Sequence, residues 1–592
     1  MAPKHQNGKT LETPQPAPWS TTIRLLRLTV LLLATAAISP ISQLTLAPVY
    51  GAIPSSVNHK TMMLLSYAFG FMVKIINVRI AERQLPYLAA LAAWIPVIQS
   101  WILPLSGQLG PVGGPVLTGS LSCHLLLIPS AYAIAEMCEE FKPHKYMPRA
   151  AALVVIAGVL AFPLYLLEQM FSRLASEHIW QIPGLVLTPV DLQLALAFAY
   201  AVLHPSRLVL LGAPALGLTV LLNPHYTRAS VDLALQPHNW TLVDRQWSNT
   251  GYISILDSSE QQYRVMRCDH SLLGGEWLLT EQRKKKEGWK VNEPIYAVFE
   301  MLEAVRLLQV NSVIPDTEAH ALIIGLGIGT APKAFVSHGI NTTTIELDPV
   351  VHDFATKYFG LPTNHTSVIQ DAVSWVENAV AQEEGKNYNY IIHDVFTGGA
   401  EPLILFTTQF LTNLRSLLTH NGVIALNYAG DLSVPLTRLV LHTISKTFSH
   451  QCKIYRDGLP ESKEQHGNSD FLNMVVFCRN SPGPIAFRRP TAADFLGSKS
   501  RQHYMMPKPE HEIPFPAVSA THTGQGHLTQ VPPLKHGDAL YNAPKKAQAL
   551  IPDGAVLELG DVGKHAKQQV ESAVRHWHIM RKVLPDAVWE LW

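Results

Sequence analysis

Glycines and acidic residues alternate with apolar runs in the stretch 320–349. Gly325, Gly327 and Gly329 follow the apolar run Ala321–Ile324, so the chain can turn tightly after a strand and present bare backbone to a ligand. Glu346 ends the next β-like run, where a carboxylate can accept hydrogen bonds from both hydroxyls of a ribose. This pattern predicts a nucleotide-binding βαβ unit, and the alternative is a tight strand-to-helix turn in another α/β domain.

Two more acidic residues follow short β-like runs further along the chain. Asp371 comes after "SVIQ", and Asp394 ends "YNYIIHD". Because open parallel sheets bind ligands at the carboxyl ends of their strands, these side chains are predicted to line one site with Glu346. His393 stands beside Asp394 and is a candidate catalytic residue with it, although a partly buried strand histidine explains His393 equally well.

The arrangement resembles the S-adenosylmethionine-binding fold and, within it, spermidine and spermine synthases with their membrane-fused relatives. The segments that resemble this family lie within residues 250–480 and read "LLGGEWLLTE", "YAVFEML", "ALIIGLGIGT", "IELDPVV" and "HDVFTGGAEPLILF". The resemblance implies that Glu346 binds the ribose, Asp371 lies by the adenine and Asp394 faces the reacting end of the cofactor. It also implies that Tyr296 faces the substrate, together with Glu300, whereas a helix packing on the sheet would show the same pattern.

Three positions depart from the family pattern. The aspartate that acts as general base is replaced by Thr397, the hairpin glutamine by Leu278, and the aspartate of the glycine loop by Ile328. A threonine hydroxyl cannot serve as a general base near neutral pH. We therefore expect methyl transfer from S-adenosylmethionine to an unknown small-molecule acceptor, since alignment in a dry site assists this reaction without a strong base.

Two alternatives stay open. The first is aminopropyl transfer from decarboxylated S-adenosylmethionine, as in polyamine biosynthesis, with His393, Glu401 or Asp269 as the replacement base. The second is a non-catalytic, ligand-binding membrane scaffold.

Only 15% of the 592 residues are charged, and long runs without charge lie within the first 225 residues. Several runs approach or exceed the length of a membrane-spanning helix. They predict seven spans, at about 28–50, 61–73, 85–105, 114–136, 150–168, 184–203 and 207–223. We expect an integral membrane protein whose lipid-facing part precedes the transferase domain.

The side of the membrane is predicted from two opposing arguments. Clusters of Lys and Arg before the first span and after the second and fourth belong on the cytoplasmic side, and seven spans would then place the transferase domain on the other side. Glycosylation sequons at Asn239, Asn341 and Asn364 agree with that placement. The supply of cofactor argues for the cytoplasm, and the cytoplasmic placement is the one that we adopt as our expectation.

The predicted architecture is α/β: a multi-span helical membrane region, a small β section, and a Rossmann-like doubly wound sheet. The predicted segments are a polar tail at 1–22, the membrane region at 23–223, β-hairpins at 225–285, the transferase domain at 286–490, and a tail at 491–592 that ends in a helix. In that tail, apolar residues from Val570 to Val583 recur at helical spacing.

Several classes of function are disfavoured by the sequence. The net charge of +1 gives no sign of nucleic-acid binding. No G-x-S-x-G elbow occurs, and Lys333 lacks the neighbouring hydroxyl residue that a P-loop requires. The five cysteines predict neither a structural disulfide nor a metal site, and a homodimer is left open.

Overall fold

The computed structural model describes residues 21–76, 85–177, 187–382, 388–395, 401–432, 434–458, 471–516 and 554–592. The helices of the N-terminal region are α1 (Thr21–Tyr50), α2 (Ala52–Val57), α3 (His59–Ile75), α4 (Leu85–Ile102), α5 (Ser106–Leu121), α6 (Cys123–Glu139), α7 (Arg149–Glu177), α8 (Pro189–Leu203), α9 (Ala213–Leu222) and α10 (Arg228–Leu235). Most of these helices pack around one apolar core, which includes Leu31, Phe71, Leu127 and Tyr200.

Among the described residues, three helical segments are long and apolar enough to cross a membrane, by length and composition. They are Thr21–Tyr50, Leu85–Leu121 and Arg149–Ser176. The predicted run 114–136 is not a single helix, because the chain breaks at Ser122 between α5 and α6. The hydropathy pattern did not reveal this break, since the residues on both sides are equally apolar.

Buried polar pairs join helices inside this region. His59 Nε2 lies 3.0 Å from Glu168 Oε1, and Gln193 donates a hydrogen bond of 2.6 Å to Gln99. Buried polar side chains are stable where partners satisfy them, so these pairs hold the helices together.

An antiparallel sheet follows the helices, with strand order β1-β2-β3-β4-β5. Its strands are β1 (Trp240–Ser248), β2 (Gly251–Ser258), β3 (Tyr263–Cys268), β4 (Ser271–Trp277) and β5 (Glu293–Pro294). One face packs on the α/β domain that follows in the chain, where Ile253, Met266 and Ile328 share an apolar cluster. The small sheet therefore covers part of that domain.

The second sheet has the order β13-β11-β12-β10-β9-β6-β7-β8. Its strands are β6 (His320–Ile324), β7 (Asn341–Glu346), β8 (Thr366–Ile369), β9 (Tyr388–His393), β10 (Leu418–Asp431), β11 (Cys452–Arg456), β12 (Phe471–Arg479) and β13 (Glu512–Ile513). The five strands from β10 to β8 are parallel, and the other three pair antiparallel at one edge.

Helices cover both faces of this sheet, and two separate apolar cores lie beneath them. The helices are α11 (Ala297–Leu302), α12 (Thr330–Ser337), α13 (Pro349–Phe359), α14 (Ala372–Ala381), α15 (Thr408–Leu417), α16 (Pro435–Thr447) and α17 (Lys499–Tyr504). The predicted α/β class with a Rossmann-like doubly wound sheet is confirmed, and β13 extends the sheet beyond residue 490.

The prediction that the cysteines form no disulfide was wrong. Cys452 on β11 and Cys478 on β12 are directly opposite in the antiparallel register, and the structure joins them. Their spacing along the chain follows no motif, so only the pairing of the two strands reveals the bridge.

The C-terminal segment contains α18 (Ala566–Val583) and α19 (Asp586–Glu590). Trp577 Nε1 donates a hydrogen bond of 3.0 Å to the carbonyl of Val49 at the end of α1. Trp589 packs with Trp240 and Leu242 of the antiparallel sheet. This segment therefore joins the helical region to the rest of the chain.

Candidate active site

The glycine loop lies between β6 and α12, and its three glycines have positive φ angles. A Cβ atom on Gly325 would lie 1.8 Å from the carbonyl oxygen of Asp394, and one on Gly327 would lie 2.7 Å from that of Leu273. Glycine is thus required at these two positions because the protein's own backbone approaches closely. The loop is held between the end of β9 and strand β4.

Glu346 ends β7 and connects that strand to the glycine loop. Its Oε2 accepts a hydrogen bond of 2.9 Å from the N–H of Leu326, and its Oε1 accepts one of 2.9 Å from the N–H of Asp348. Burial raises the pKa of this carboxyl to about 7, against the lowering effect of the backbone donors. Each oxygen retains a further lone pair, so the carboxylate can still accept hydrogen bonds from a ribose.

Asp394 follows β9 directly. Its N–H donates a hydrogen bond of 2.8 Å to the carbonyl of Ile324, and its Oδ1 accepts one of 2.8 Å from Asn427 Nδ2 on β10. Burial raises the pKa of Asp394 to about 6. No local motif points to Asn427, since it becomes a neighbour only through the pairing of β9 with β10.

Asp371 is exposed and begins α14. Its Oδ2 accepts hydrogen bonds from the N–H and the hydroxyl of Ser374, at 2.9 and 2.8 Å. The carboxylate therefore caps the helix, and its placement beside the adenine stays a prediction. Gly325, Glu346 and Asp394 meet at the carboxyl ends of adjacent strands, and Asp371 follows the edge strand β8.

His393 lies in the apolar core, on the opposite side of β9 from Asp394. Its Nε2 donates a hydrogen bond of 3.0 Å to the carbonyl of Leu405, and its ring meets that of Phe406 edge-on. Burial lowers the pKa of His393 to about 4, so the imidazole is neutral. These contacts favour a structural strand histidine over the predicted catalytic role.

Tyr296 precedes α11 and is largely buried. Its hydroxyl has no hydrogen-bond partner among the described residues, and burial raises its pKa. Glu300 on α11 instead accepts a hydrogen bond from the hydroxyl of Ser500, next to the bidentate pair of Arg501 with Glu303. Glu300 therefore stabilises the contact between α11 and α17, whereas the role of Tyr296 stays a prediction.

Of the three positions that depart from the family pattern, the structure describes Ile328 and Leu278. Ile328 is buried against Gly274 of β4, where a Cβ atom would lie 3.0 Å from Ile328 Cγ1. Leu278 follows β4, and its N–H donates to the carbonyl of Gln262 at 3.0 Å. Thr397 lies outside the described residues. The apolar residue in the glycine loop thus seals that loop against the antiparallel sheet.

Lys333 on α12 and Asp269 have local partners. Lys333 forms an ion pair with Glu276 of β4 and donates a hydrogen bond of 3.0 Å to the carbonyl of Phe359. Asp269 lies in the turn between β3 and β4 and accepts a hydrogen bond of 3.0 Å from the N–H of Tyr252. Both residues thus help to hold the antiparallel sheet in place.

The site fits a cofactor with a nucleoside and a charged end. One carboxylate stands at the end of β7 and another directly after β9, and the glycine loop follows β6, which lies between these two strands. The binding of ribose hydroxyls by Glu346 and the binding of the other end of the cofactor by Asp394 stay predictions. This is the arrangement of the fold that binds S-adenosylmethionine.

Comparisons with known proteins agree with this class. Residues 299–464 match the family described as "Spermine/spermidine synthase domain". The chain is 39% identical to an N-terminal histidine N-methyltransferase of Emericella nidulans over 95% of this chain and 96% of that protein. It is 29% identical to a polyamine aminopropyltransferase of Vibrio vulnificus over 27% of this chain and 51% of that protein. A crystal structure of a probable spermidine synthase from Corynebacterium glutamicum covers 45% of this chain and 88% of that one, with 14% identity and a TM-score of 0.34.

These findings define an S-adenosylmethionine-dependent methyltransferase with a spermidine synthase-like fold. The chain belongs to the same family as the Emericella nidulans methyltransferase, along nearly the whole length of both proteins. The expected transfer of a methyl group is confirmed at this level.

Proposed function

We propose that the protein transfers the methyl group of S-adenosylmethionine to a ring nitrogen of an N-terminal histidine in a polypeptide. The relative that is similar along nearly the whole chain is named an N-terminal histidine N-methyltransferase, whereas the match to the aminopropyltransferase covers only 27% of the chain. Bound S-adenosylmethionine supplies an electrophilic methyl group. As the new N–C bond forms, the S–C bond breaks, and its electron pair stays on sulfur.

Thr397, at the position of the family's catalytic aspartate, is the observation that carries the proposal. An alkyl ammonium group has a pKa near that of lysine, about 10.4, and must lose a proton before it can attack. An imidazole has a pKa of about 6.5 and carries a free lone pair at pH 7 to 8. A histidine acceptor therefore needs no strong base at this position, and the proton on its other nitrogen can leave to water after transfer.

The residues of the chain have separate tasks under this proposal. Glu346 would hold the ribose, and Asp394, oriented by Asn427, would hold the charged end of the cofactor next to the acceptor. The antiparallel sheet covers the glycine loop through Leu273 and Ile328, which keeps that side of the site away from water. Binding and alignment supply the catalysis, as an SN2 reaction with a reactive nucleophile requires.

The test uses the full-length protein purified in detergent, with S-adenosylmethionine and synthetic peptides that begin with histidine or with phenylalanine. We expect the peptide that begins with histidine to gain one methyl group on its imidazole, located by tandem mass spectrometry. Decarboxylated S-adenosylmethionine with putrescine forms a parallel reaction. Aminopropyl transfer in that reaction without methylation of the peptide would overturn the proposal, and cofactor binding without any turnover would favour the scaffold.

The placement of the transferase domain relative to the membrane is the second part of the proposal. The supply of cofactor supports the cytoplasmic side, whereas the bond between Cys452 and Cys478 is typical of oxidising compartments. The sequon residues Asn239, Asn341 and Asn364 are all exposed, so a glycan could attach to each on the non-cytoplasmic side. The disulfide and the sequons favour the non-cytoplasmic side over the cytoplasmic placement expected from cofactor supply, and the non-cytoplasmic side is the placement that we propose.

Glycosidase treatment of the protein from its native membrane distinguishes the two sides. A shift in mobility that disappears when Asn239, Asn341 and Asn364 are all replaced by Gln would place the domain on the non-cytoplasmic side. Two results together would restore the cytoplasmic placement. The first is the absence of a mobility shift, and the second is that Cys452 and Cys478 react with an alkylating reagent under denaturing conditions without prior reduction.

A further inference from the structure

A cleft lies at the carboxyl end of β10, where helix α18 packs over the strand. Its lining includes Glu401 from the segment before α15, Tyr428 and Asp431 from β10, and Gln569, Ser572 and Arg575 from α18. The match to the spermidine synthase domain ends at residue 464, so α18 lies outside it. One wall of the cleft is therefore an addition to the shared fold.

The charges in the cleft are not balanced within it. Arg575 forms an ion pair with Asp431 and another, of 2.8 Å, with Glu571. Glu401 is 6% exposed, and among the described residues no cationic side chain forms an ion pair with it. Its Oε1 accepts a hydrogen bond of 3.1 Å from the N–H of Ala429. Burial raises the pKa of Glu401 to about 7, so a cationic ligand that pairs with this carboxylate would favour its ionised form.

Strand β10 connects this cleft to the reacting end of the active site. Asn427 donates to Asp394, and Ala429, two residues further along, donates to Glu401. The side-chain amide of Asn427 and the backbone N–H of Ala429 are two residues apart on β10, which is about 6.8 Å along a strand. Both carboxylates therefore lie at the carboxyl end of β10.

We propose that Glu401 binds the α-ammonium group of the acceptor and so restricts transfer to the first residue of a polypeptide. This inference rests on the proposed function, since it assigns the acceptor site of the same reaction. With the ammonium group at Glu401, the side chain of the first residue points toward Asp394. A histidine inside a chain, or one with an acetylated amine, lacks the cation and leaves Glu401 unpaired.

The wall formed by α18 is fixed by the helical region. Trp577 bonds to the carbonyl of Val49, and Arg581 donates a hydrogen bond of 2.6 Å to the hydroxyl of Ser106. The cleft thus depends on contacts between the N-terminal and C-terminal parts of the chain, and for this reason the full-length protein is used in the test.

The experiment compares two peptides that begin with histidine and differ only in acetylation of the α-amine. For the wild-type protein we expect a preference of at least about tenfold in kcat/KM for the free amine, as the loss of one charge-assisted contact predicts. Glu401→Gln should lose most of this preference through a higher KM for the free amine, with little change for the acetylated peptide. Glu558→Gln, which changes an exposed glutamate of the same C-terminal segment as α18, is the matched control and should behave as wild type.

A second measurement does not depend on turnover. Equilibrium binding of the two labelled peptides in the presence of S-adenosylhomocysteine should show the same loss of preference in Glu401→Gln, whose thermal unfolding should match wild type. Binding selectivity for the free amine without methylation would retain the inference and remove the proposed function. Methylation with unchanged selectivity in Glu401→Gln, or no selectivity in the wild-type protein, would overturn the inference. If Glu401→Gln unfolds, Glu401→Asp replaces it. We then expect a partial loss of the preference for the free-amine peptide, and a full preference would contradict the inference.

Discussion

The two halves of the site are built in different ways. The cofactor half consists of residues that immediately follow the parallel strands, and backbone groups of the same βαβ unit hold them, as with Glu346 and the N–H of Leu326. The proposed acceptor half, the cleft around Glu401, consists of side chains from separate segments, and Asp431 meets Arg575 across 144 residues of chain. The first half is local in sequence, whereas the second exists only when distant parts of the chain have packed.

This difference shows where the specificity of such a fold can change. The cofactor half is constrained by close backbone contacts, such as the one between Gly325 and Asp394, and tolerates few substitutions. The proposed acceptor half is bounded by helix α18, which lies beyond the matched domain, so another C-terminal segment could create another acceptor site. We therefore expect substitutions in the cofactor half to have larger effects than those in the acceptor half.

Gly325→Ala should have the largest effect. The new Cβ atom would lie 1.8 Å from the carbonyl oxygen of Asp394, at a φ of +86°. Neither backbone can move without breaking the pairing of β6 with β9, so we expect a loss of at least about 4 kcal/mol in the free energy of unfolding. Thermal unfolding in detergent measures this change. Gly217→Ala, at a helical position with open space, should leave stability unchanged or slightly raised, and equal behaviour of the two variants would contradict the close approach of Gly325 to Asp394.

Glu346→Ala should have the next largest effect, on the affinity for the cofactor. Hydrogen bonds to a charged group are worth about 1.5–3 kcal/mol each, so the loss of two contacts to a ribose predicts weaker binding by about 100-fold or more. Calorimetric titration with S-adenosylhomocysteine measures it. Glu377→Gln, an exposed glutamate on α14, is the control. Unchanged affinity in Glu346→Ala would remove the ribose assignment.

The same residue predicts a dependence on pH. The pKa of Glu346 is raised to about 7 in the folded protein, so the folded state holds a proton that the unfolded state has already lost above its ordinary pKa. The stability associated with this proton is present at low pH and is lost as the pH rises through about 7. Cofactor affinity should change in the opposite sense and increase with pH over this range, because the ionised form accepts both ribose hydroxyls. If the affinity of Glu346→Gln for the cofactor does not depend on pH, the dependence belongs to Glu346. A pH dependence like that of the wild-type protein would refute this assignment.

The cofactor half could be predicted from the sequence because its signals are short-range. The glycines, the strand before them and Glu346 lie within one βαβ unit, where strand register follows from the apolar pattern. The same reasoning placed His393 at the edge, but alternation along β9 turns its side chain into the core while Asp394 faces the site. A residue's position along a strand was thus easier to predict than the side on which it lies.

The remaining features require tertiary contacts that no local pattern contains. Asn427 and Asp394 meet because β10 pairs with β9, and Cys452 meets Cys478 because β11 pairs with β12. The break at Ser122 divides a run whose hydropathy is continuous, so the number of separate apolar helices could not follow from composition alone.

Asn427→Ala should have an intermediate effect, because Asn427 orients a carboxylate without forming part of the glycine loop. Loss of its hydrogen bond of 2.8 Å should raise the pKa of Asp394 further and lower kcat by about tenfold, which corresponds to about 1.4 kcal/mol. The acidic limb of the pH–rate profile should move to higher pH. Asn473→Ala breaks a similar pair, between Asn473 on β12 and Asp457 after β11 at 3.2 Å, and should leave the profile unchanged.

Arg575→Gln should have the smallest effect, and the direction of the change in KM tests the proposed acceptor half. Arg575 contributes positive charge to a cleft that is proposed to bind an ammonium group, and Asp431 is its partner. Removal of that charge should lower the KM for the free-amine peptide by about threefold, the range of a partly exposed ion pair, while the acetylated peptide is unaffected. Arg575→Lys keeps the charge and should resemble wild type. A higher KM in Arg575→Gln that Arg575→Lys restores would mean that this cation binds the acceptor itself, through a carbonyl or carboxylate, and the cleft would then select for a group other than the free amine.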